Sequence, residues 1–76
     1  RPHLSDEEWT ARCELTIRTL MLTNEMLIVG RMMQLGEQPD FEAITRITHQ
    51  TAEVAKQLHD FDTTHQDVLR EVQLDN

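Results

Sequence analysis

The most constraining feature of this sequence is the segment 5–35, which is predicted to form one long helix with apolar residues on two opposite sides. It begins with Ser5 and Glu8, the residue pair of a capping box in which each side chain accepts a hydrogen bond from the other residue's backbone N–H. The segment contains no proline, and Gly30 is its only glycine. Gly36 follows in the position of a left-handed C′ residue, so the helix is expected to end at about residue 35.

A second long helix is predicted over about residues 41–73, a range without proline or glycine. Asp40 stands before it as a favourable N-cap. The turn at residues 36–40 is so short that the two helices are expected to be antiparallel neighbours. Because 76 residues supply one core at most, we expect an all-α fold in which residues 1–76 form a single helical-hairpin domain.

The apolar residues of the second helix follow one stripe with alternating steps of three and four, the a/d spacing of a coiled coil. The stripe, the predicted seam of the hairpin on this helix, consists of Ile44, Ile47, Val54, Leu58, Phe61, His65, Val68 and Val72, with Thr51 at the position between Ile47 and Val54. Polar residues occupy the remaining circumference, so the second helix is predicted to have one partner surface. Protonation of His65 in acid is predicted to loosen this seam.

The apolar residues of the first helix, plotted at about 100° per residue, divide into two faces. The face predicted to pack within the hairpin consists of Trp9, Cys13, Ile17, Leu20 and Leu27. The opposite face, predicted to contact another chain, consists of Leu15, Leu22, Met26, Val29 and Met33, with Thr19, Thr23 and Gly30 beside it. Since the single stripe of the second helix covers only one of these faces, the other is expected to be buried by a different polypeptide.

The second face predicts association because its exposure would be unfavourable. Burying one large apolar side chain is worth about 1.5–3 kcal/mol, whereas so small a core supplies only about 3–5 kcal/mol in total. We therefore expect a dimerisation or assembly module in which two hairpins complete a four-helix bundle. Asn24, on the face predicted to pack within the hairpin, is interpreted either as a residue that fixes register or as a bundle asparagine hydrogen-bonded to backbone or water. The alternative is a small adaptor or chaperone that sheaths a helix of a larger protein, which the adaptable side chains of Met21, Met26, Met32 and Met33 favour.

Composition argues against other classes of function. The net charge of −7 and the scattered basic residues argue against nucleic acid and anionic membrane surfaces as partners. The longest apolar run, residues 26–29, is far too short to span a bilayer. The acidic residues lie on solvated faces and Cys13 is expected to be a buried small hydrophobe, so no catalytic, cofactor or metal site is predicted. A single cysteine is compatible with an intracellular protein of the cytoplasm or nucleus.

Overall fold

The computed structural model describes residues 3–75, with side chains up to residue 70. It contains three helices: α1 (Asp6–Gln34), α2 (Phe41–Thr64) and α3 (Gln66–Asp75). α1 and α2 pack antiparallel along most of their length, and the molecule measures 55 × 22 × 17 Å along its principal axes. The predicted all-α hairpin of two long helices is therefore confirmed, with a short third helix in addition.

The capping box at the start of α1 forms as predicted. The Ser5 hydroxyl accepts a hydrogen bond from the Glu8 backbone N–H at 3.1 Å, and the Glu8 carboxylate accepts one from the Ser5 N–H at 2.9 Å. Asp6 and Glu7 occupy the same first turn, where the positive end of the helix dipole favours acidic side chains. These contacts fix where α1 begins.

The end of α1 is a Schellman motif built on a glycine. Gly36 has a φ of 91°, a left-handed conformation that glycine adopts without steric penalty. Its N–H donates to the carbonyl of Met33, and the N–H of Glu37 donates to that of Met32, both at 3.1 Å. Asp40 then caps α2 through its side chain, so the chain reverses direction within six residues, 35–40.

The second predicted helix is interrupted at His65, where α2 gives way to α3. His65 has φ −111° and ψ 22°, and its ring nitrogen Nδ1 lies 2.8 Å from the Phe61 carbonyl oxygen. One residue earlier, the Thr64 hydroxyl donates to the Asp60 carbonyl at 2.8 Å. Side chains that bond to carbonyls of the preceding turn compete with the backbone ladder and bend helices. The sequence pattern missed this break because apolar spacing continues through it.

The core of the hairpin is small and lies between α1 and α2. Its buried members are Leu22, Ile47 and Val54, and the partly buried side chains packed against them are Leu15, Met26, Val29 and Leu58. Of the other predicted seam residues after the turn, Ile44, Phe61, His65 and Val68 are half-buried. Val72 lies outside the described side chains.

The structure reverses the predicted assignment of the two faces of α1. The face expected to contact another chain supplies Leu22 to the core, and Leu15, Met26 and Val29 pack against it. The residues expected to face α2 are instead on the solvent side, with Trp9 38% exposed; the others there are Cys13, Ile17, Leu20 and Leu27. Apolar periodicity did not distinguish two faces of similar size.

Ion pairs with α2 explain which face of α1 turns inward. Arg12 contacts Asp62 through two hydrogen bonds of 2.8 and 3.0 Å. Further along α1, Glu25 accepts a hydrogen bond of 2.6 Å from Arg46. These two α1 residues lie on either flank of the Leu22 side of the helix. Partly exposed ion pairs of this kind stabilise by about 0.2–1 kcal/mol each, so they select the face and register more than they hold the fold together.

A third polar contact, between Glu8 and His65, joins the first turn of α1 to the junction of α2 and α3. The His65 Nε2 lies 2.6 Å from the Glu8 carboxylate, while Nδ1 faces the Phe61 carbonyl. That carbonyl contact and the Glu8 contact raise the pKa of His65. Protonation therefore strengthens this contact, which is opposite in direction to the loosening predicted from the sequence.

Candidate functional site

The side of α1 that faces away from the core exposes a row of mostly apolar side chains. We call this row the outer face; it consists of Trp9, Cys13, Ile17, Leu20, Asn24, Leu27, Ile28 and Leu35. Leu20 and Leu27, near its middle, are 64% and 67% exposed, and Ile17 and Ile28 are each 54% exposed. Single exposed apolar residues are ordinary, but a contiguous apolar surface commonly marks an interaction site.

The spacing of the outer face suits contact with another helix. Ile17, Leu20, Asn24 and Leu27 follow one another at steps of three, four and three residues, the a/d seam of a coiled coil. Ile28, next to Leu27, widens the seam on one side. From residue 9 to residue 35 the row extends for about 39 Å at the helical rise. A partner helix of several turns would fit along it.

Charge is absent from the middle of the outer face and present at its two ends. Glu14 lies near the first end and Arg31 near the other. The charged residues between them, Arg18 and Glu25, lie on the inner flank of α1, where Glu25 contacts Arg46. An apolar centre with a polar rim is the usual composition of a protein interface.

The threonines beside the outer face have their hydroxyl groups hydrogen-bonded within α1. The hydroxyls of Thr16, Thr19 and Thr23 each donate to the carbonyl one turn earlier, at 3.1, 3.0 and 2.9 Å. Because these hydroxyls are satisfied within α1, a partner need not supply them with hydrogen bonds. At Gly30, an added Cβ would meet no atom within 4 Å, so a neighbouring helix has room to approach. Thr23 and Gly30 are exposed, and Thr19 is half-buried.

A hollow of about 700 Å³ lies at the N-terminal end of the outer face, between α1 and α3. Its lining includes Trp9, Cys13 and Leu69, so the apolar surface continues into it. The thiol-bearing Cys13 is exposed, which corrects the prediction that it is a buried hydrophobe. Arg12 and Asp62, two of the charged residues that line the hollow, are hydrogen-bonded to each other, and Arg70 also lines it. The hollow therefore extends the apolar surface and carries charged groups at its edge.

Most of the apolar residues that were predicted to contact another chain are buried or partly buried within the hairpin. Leu22 is buried, and Leu15, Met26 and Val29 are partly buried within the hairpin, whereas Met33 is 43% exposed. Among the described side chains, those of residues 3–70, no group of three or more histidine, cysteine or acidic residues is placed to hold a metal ion. In the same range, no helix combines the length and hydropathy needed to cross a membrane.

The outer face could have been identified from the order of charges along the chain. In an antiparallel hairpin, residues further along the first helix meet residues earlier in the second. Arg12 with Asp62, and Glu25 with Arg46, are opposite charges that satisfy this order. If these opposite charges are required to face one another, the Leu22 side of α1 is predicted to face α2 and Leu20 is predicted to be exposed. Apolar periodicity alone does not take charge pairing between the two helices into account.

Comparisons with family models, curated proteins and solved structures each find no significant match to this chain. The exposed surface of α1 is therefore the feature on which a functional proposal rests.

Proposed function

We propose that this chain is a non-enzymatic protein-interaction module, in which the outer face of α1 packs against a helix of another polypeptide. The supporting observation is the exposed, mostly apolar row from Trp9 to Leu35, on the side of α1 opposite its own core. α2 covers the inner side of α1 and leaves the outer face open. Two hairpins joined through this face place their α1 helices at the centre and complete an assembly of four long helices.

Covering the exposed apolar groups contributes favourable free energy to association. Full burial of a leucine or isoleucine is worth about 1.5–3 kcal/mol. Since the apolar residues in the middle of the outer face are 54–67% exposed, covering each one contributes about 1–2 kcal/mol. Several such residues offset the lower part of the cost of association, about 4–15 kcal/mol. The same side chains contribute nothing to the core of a lone hairpin.

A second candidate function is that of an adaptor whose outer face binds a helix of a different, larger protein. The observation favouring it is the exposure of Met21 and Met32, at 60% and 47%, beside the outer face. Flexible thioether side chains adapt to partners of different shape. An adaptor of this kind is expected to be monomeric in isolation and to acquire a defined mass only with its partner.

Sedimentation equilibrium of the purified chain tests the proposal. We expect the parent at micromolar concentration to have twice its mass of 8.9 kDa. Leu20→Glu places a charge in the middle of the outer face and is expected to give a helical monomer. Thr45→Glu adds the same charge at an exposed position of α2 and is expected to leave the dimer intact. A parent that is a folded monomer throughout the micromolar range contradicts assembly through this face.

A further inference from the structure

Three pairs of outer-face residues lie at equal distances on either side of the level of Leu22. These pairs are Trp9 and Leu35, Ile17 and Leu27, and Leu20 and Asn24. Cys13 precedes that level by as many residues as Arg31 follows it. At a two-fold interface, residue i of one copy contacts residue j of the other, and j contacts i. Two antiparallel α1 helices centred at this level therefore place the members of each pair opposite one another, and Arg31 opposite Cys13.

The charges near the ends of the outer face are complementary in this arrangement. Arg31 of one copy lies opposite Cys13 of the second copy, and Glu14 is the next residue along that helix. The long arginine side chain can therefore reach the carboxylate, and the two-fold axis repeats the pair at the other end. In a parallel arrangement each Arg31 faces its own equivalent, as does each Glu14, which places like charges together.

The termini of α1 favour the antiparallel arrangement as well. Its first turn contains three acidic residues, Asp6, Glu7 and Glu8, and its last turn contains one basic residue, Arg31. Antiparallel packing opposes the dipoles of the two α1 helices. Parallel packing aligns these dipoles and brings the two acidic first turns together. The helix dipoles and the pairing of Arg31 with Glu14 therefore favour the same orientation.

We propose that the partner of the outer face is a second copy of this chain, bound with the two α1 helices antiparallel and the two-fold axis at the level of Leu22. This inference rests on the proposed function and adds to it the identity of the partner and the register. The competing arrangement is a parallel pair, in which Asn24 of one copy meets Asn24 of the other as in dimeric coiled coils.

Disulfide cross-linking with the native thiol distinguishes the two orientations. In the antiparallel pair, the two Cys13 residues are about 27 Å apart along the helix axis, far beyond the reach of a disulfide. Cys13 of one copy instead lies opposite position 31 of the other. We therefore expect the oxidised parent to remain uncross-linked and Arg31→Cys to form a covalent dimer. The double variant Cys13→Ser with Arg31→Cys is the control, and it is expected not to cross-link.

The cross-linking result is interpreted together with the molecular mass of each variant in solution. Cross-linking of the parent and of the double variant indicates parallel helices and overturns the inference. A dimeric mass without a cross-link in any variant also overturns it, while the proposed interaction function stands. A monomeric mass for the parent contradicts the self-association on which the inference depends, and leaves only the adaptor form of the proposed function.

Charge reversal provides a second measurement that does not depend on thiol chemistry. Glu14→Arg and Arg31→Glu are each expected to weaken dimerisation by roughly fivefold, because each disrupts two symmetric surface ion pairs. The variant that carries both changes restores opposite charges and is expected to recover most of the affinity. Additive weakening in the double variant contradicts the proposed register. Circular dichroism of each variant establishes that α1 and α2 remain folded.

Discussion

The ring nitrogen Nε2 of His65 lies 2.6 Å from Oε2 of Glu8, a contact that links the junction of α2 and α3 to the first turn of α1. On the other side of the ring, Nδ1 lies 2.8 Å from the carbonyl oxygen of Phe61. A neutral imidazole has one N–H donor, whereas both nitrogens here face oxygen acceptors. Both hydrogen bonds are made with a deprotonated Glu8 only when the imidazole is doubly protonated, so the structure favours the charged ring.

The contact predicts a stability maximum in mildly acidic solution. The Phe61 carbonyl, with a further contribution from Glu8, raises the pKa of His65 above 6.5, so its stabilisation is complete below pH 6.5 and is lost as pH rises through the raised pKa. Hydrogen bonds from Ser5 and then His65 lower the pKa of Glu8 below 4.5, so its stabilisation is lost as pH falls through the lowered pKa. The pair contributes most between about pH 4.5 and 6.5. Thermal unfolding across this range measures the effect.

Two variants separate the ion pair from other titrations. Glu8→Gln retains a side chain able to complete the capping box but removes the negative charge beside His65. His65→Gln removes the titrating ring. Both variants are expected to show a flatter dependence of Tm on pH between 6 and 8 than the parent. A His65→Gln profile that parallels that of the parent would show that another group is responsible.

Truncating a side chain on the core side of α1 is expected to affect stability far more than truncating one on the outer face. Leu22→Ala removes a core side chain that is 7% exposed and is expected to lower the free energy of unfolding by about 2–3 kcal/mol. Leu20→Ala, at a position 64% exposed, is expected to change it by less than about 0.5 kcal/mol in dilute, monomeric protein. Urea unfolding of both variants at low concentration measures the difference. Equal destabilisation would contradict the observed orientation of α1.

The two glycines predict opposite effects of alanine substitution. At Gly36, with φ 91°, alanine is expected to destabilise the fold by about 1–2 kcal/mol because the left-handed conformation strains an L-residue. At Gly30, inside α1, alanine is expected to stabilise the hairpin by about 0.5–1 kcal/mol, since its Cβ meets no neighbour within 4 Å. Thermal unfolding of the two variants in dilute protein measures both changes. A lower Tm for Gly30→Ala would contradict the open surroundings of that residue.

Features specified by local chemistry could be predicted from the sequence. The capping residues Ser5 and Glu8, the C′ residue Gly36 and the N-cap Asp40 all have the predicted roles. Each of these roles depends on a hydrogen bond or a backbone angle within a few residues of the chain. The α2 stripe could also be predicted, because only one side of that helix is apolar.

The rotation of α1 and the break at His65 could not be predicted from apolar periodicity. α1 is apolar on two sides, and the choice between them depends on contacts with α2, such as Arg12 with Asp62, that are distant in sequence. The break depends on hydrogen bonds from His65 and Thr64 to carbonyls of the preceding turn. Neither feature alters the spacing of apolar residues. Consequently, Leu22, Met26 and Val29, which were predicted to face another chain, pack within the hairpin instead.

Hydroxyl-radical footprinting at increasing protein concentration is the most direct test of the central claim that the outer face is covered by another chain. We expect labelling of Leu27 and Ile28 to fall several-fold as the chain associates, while labelling of the buried residue Leu22 remains low throughout. Thr45, on α2, is the internal reference and is expected to be labelled equally at all concentrations. Unchanged labelling of Leu27 and Ile28 in the associated form would contradict the account.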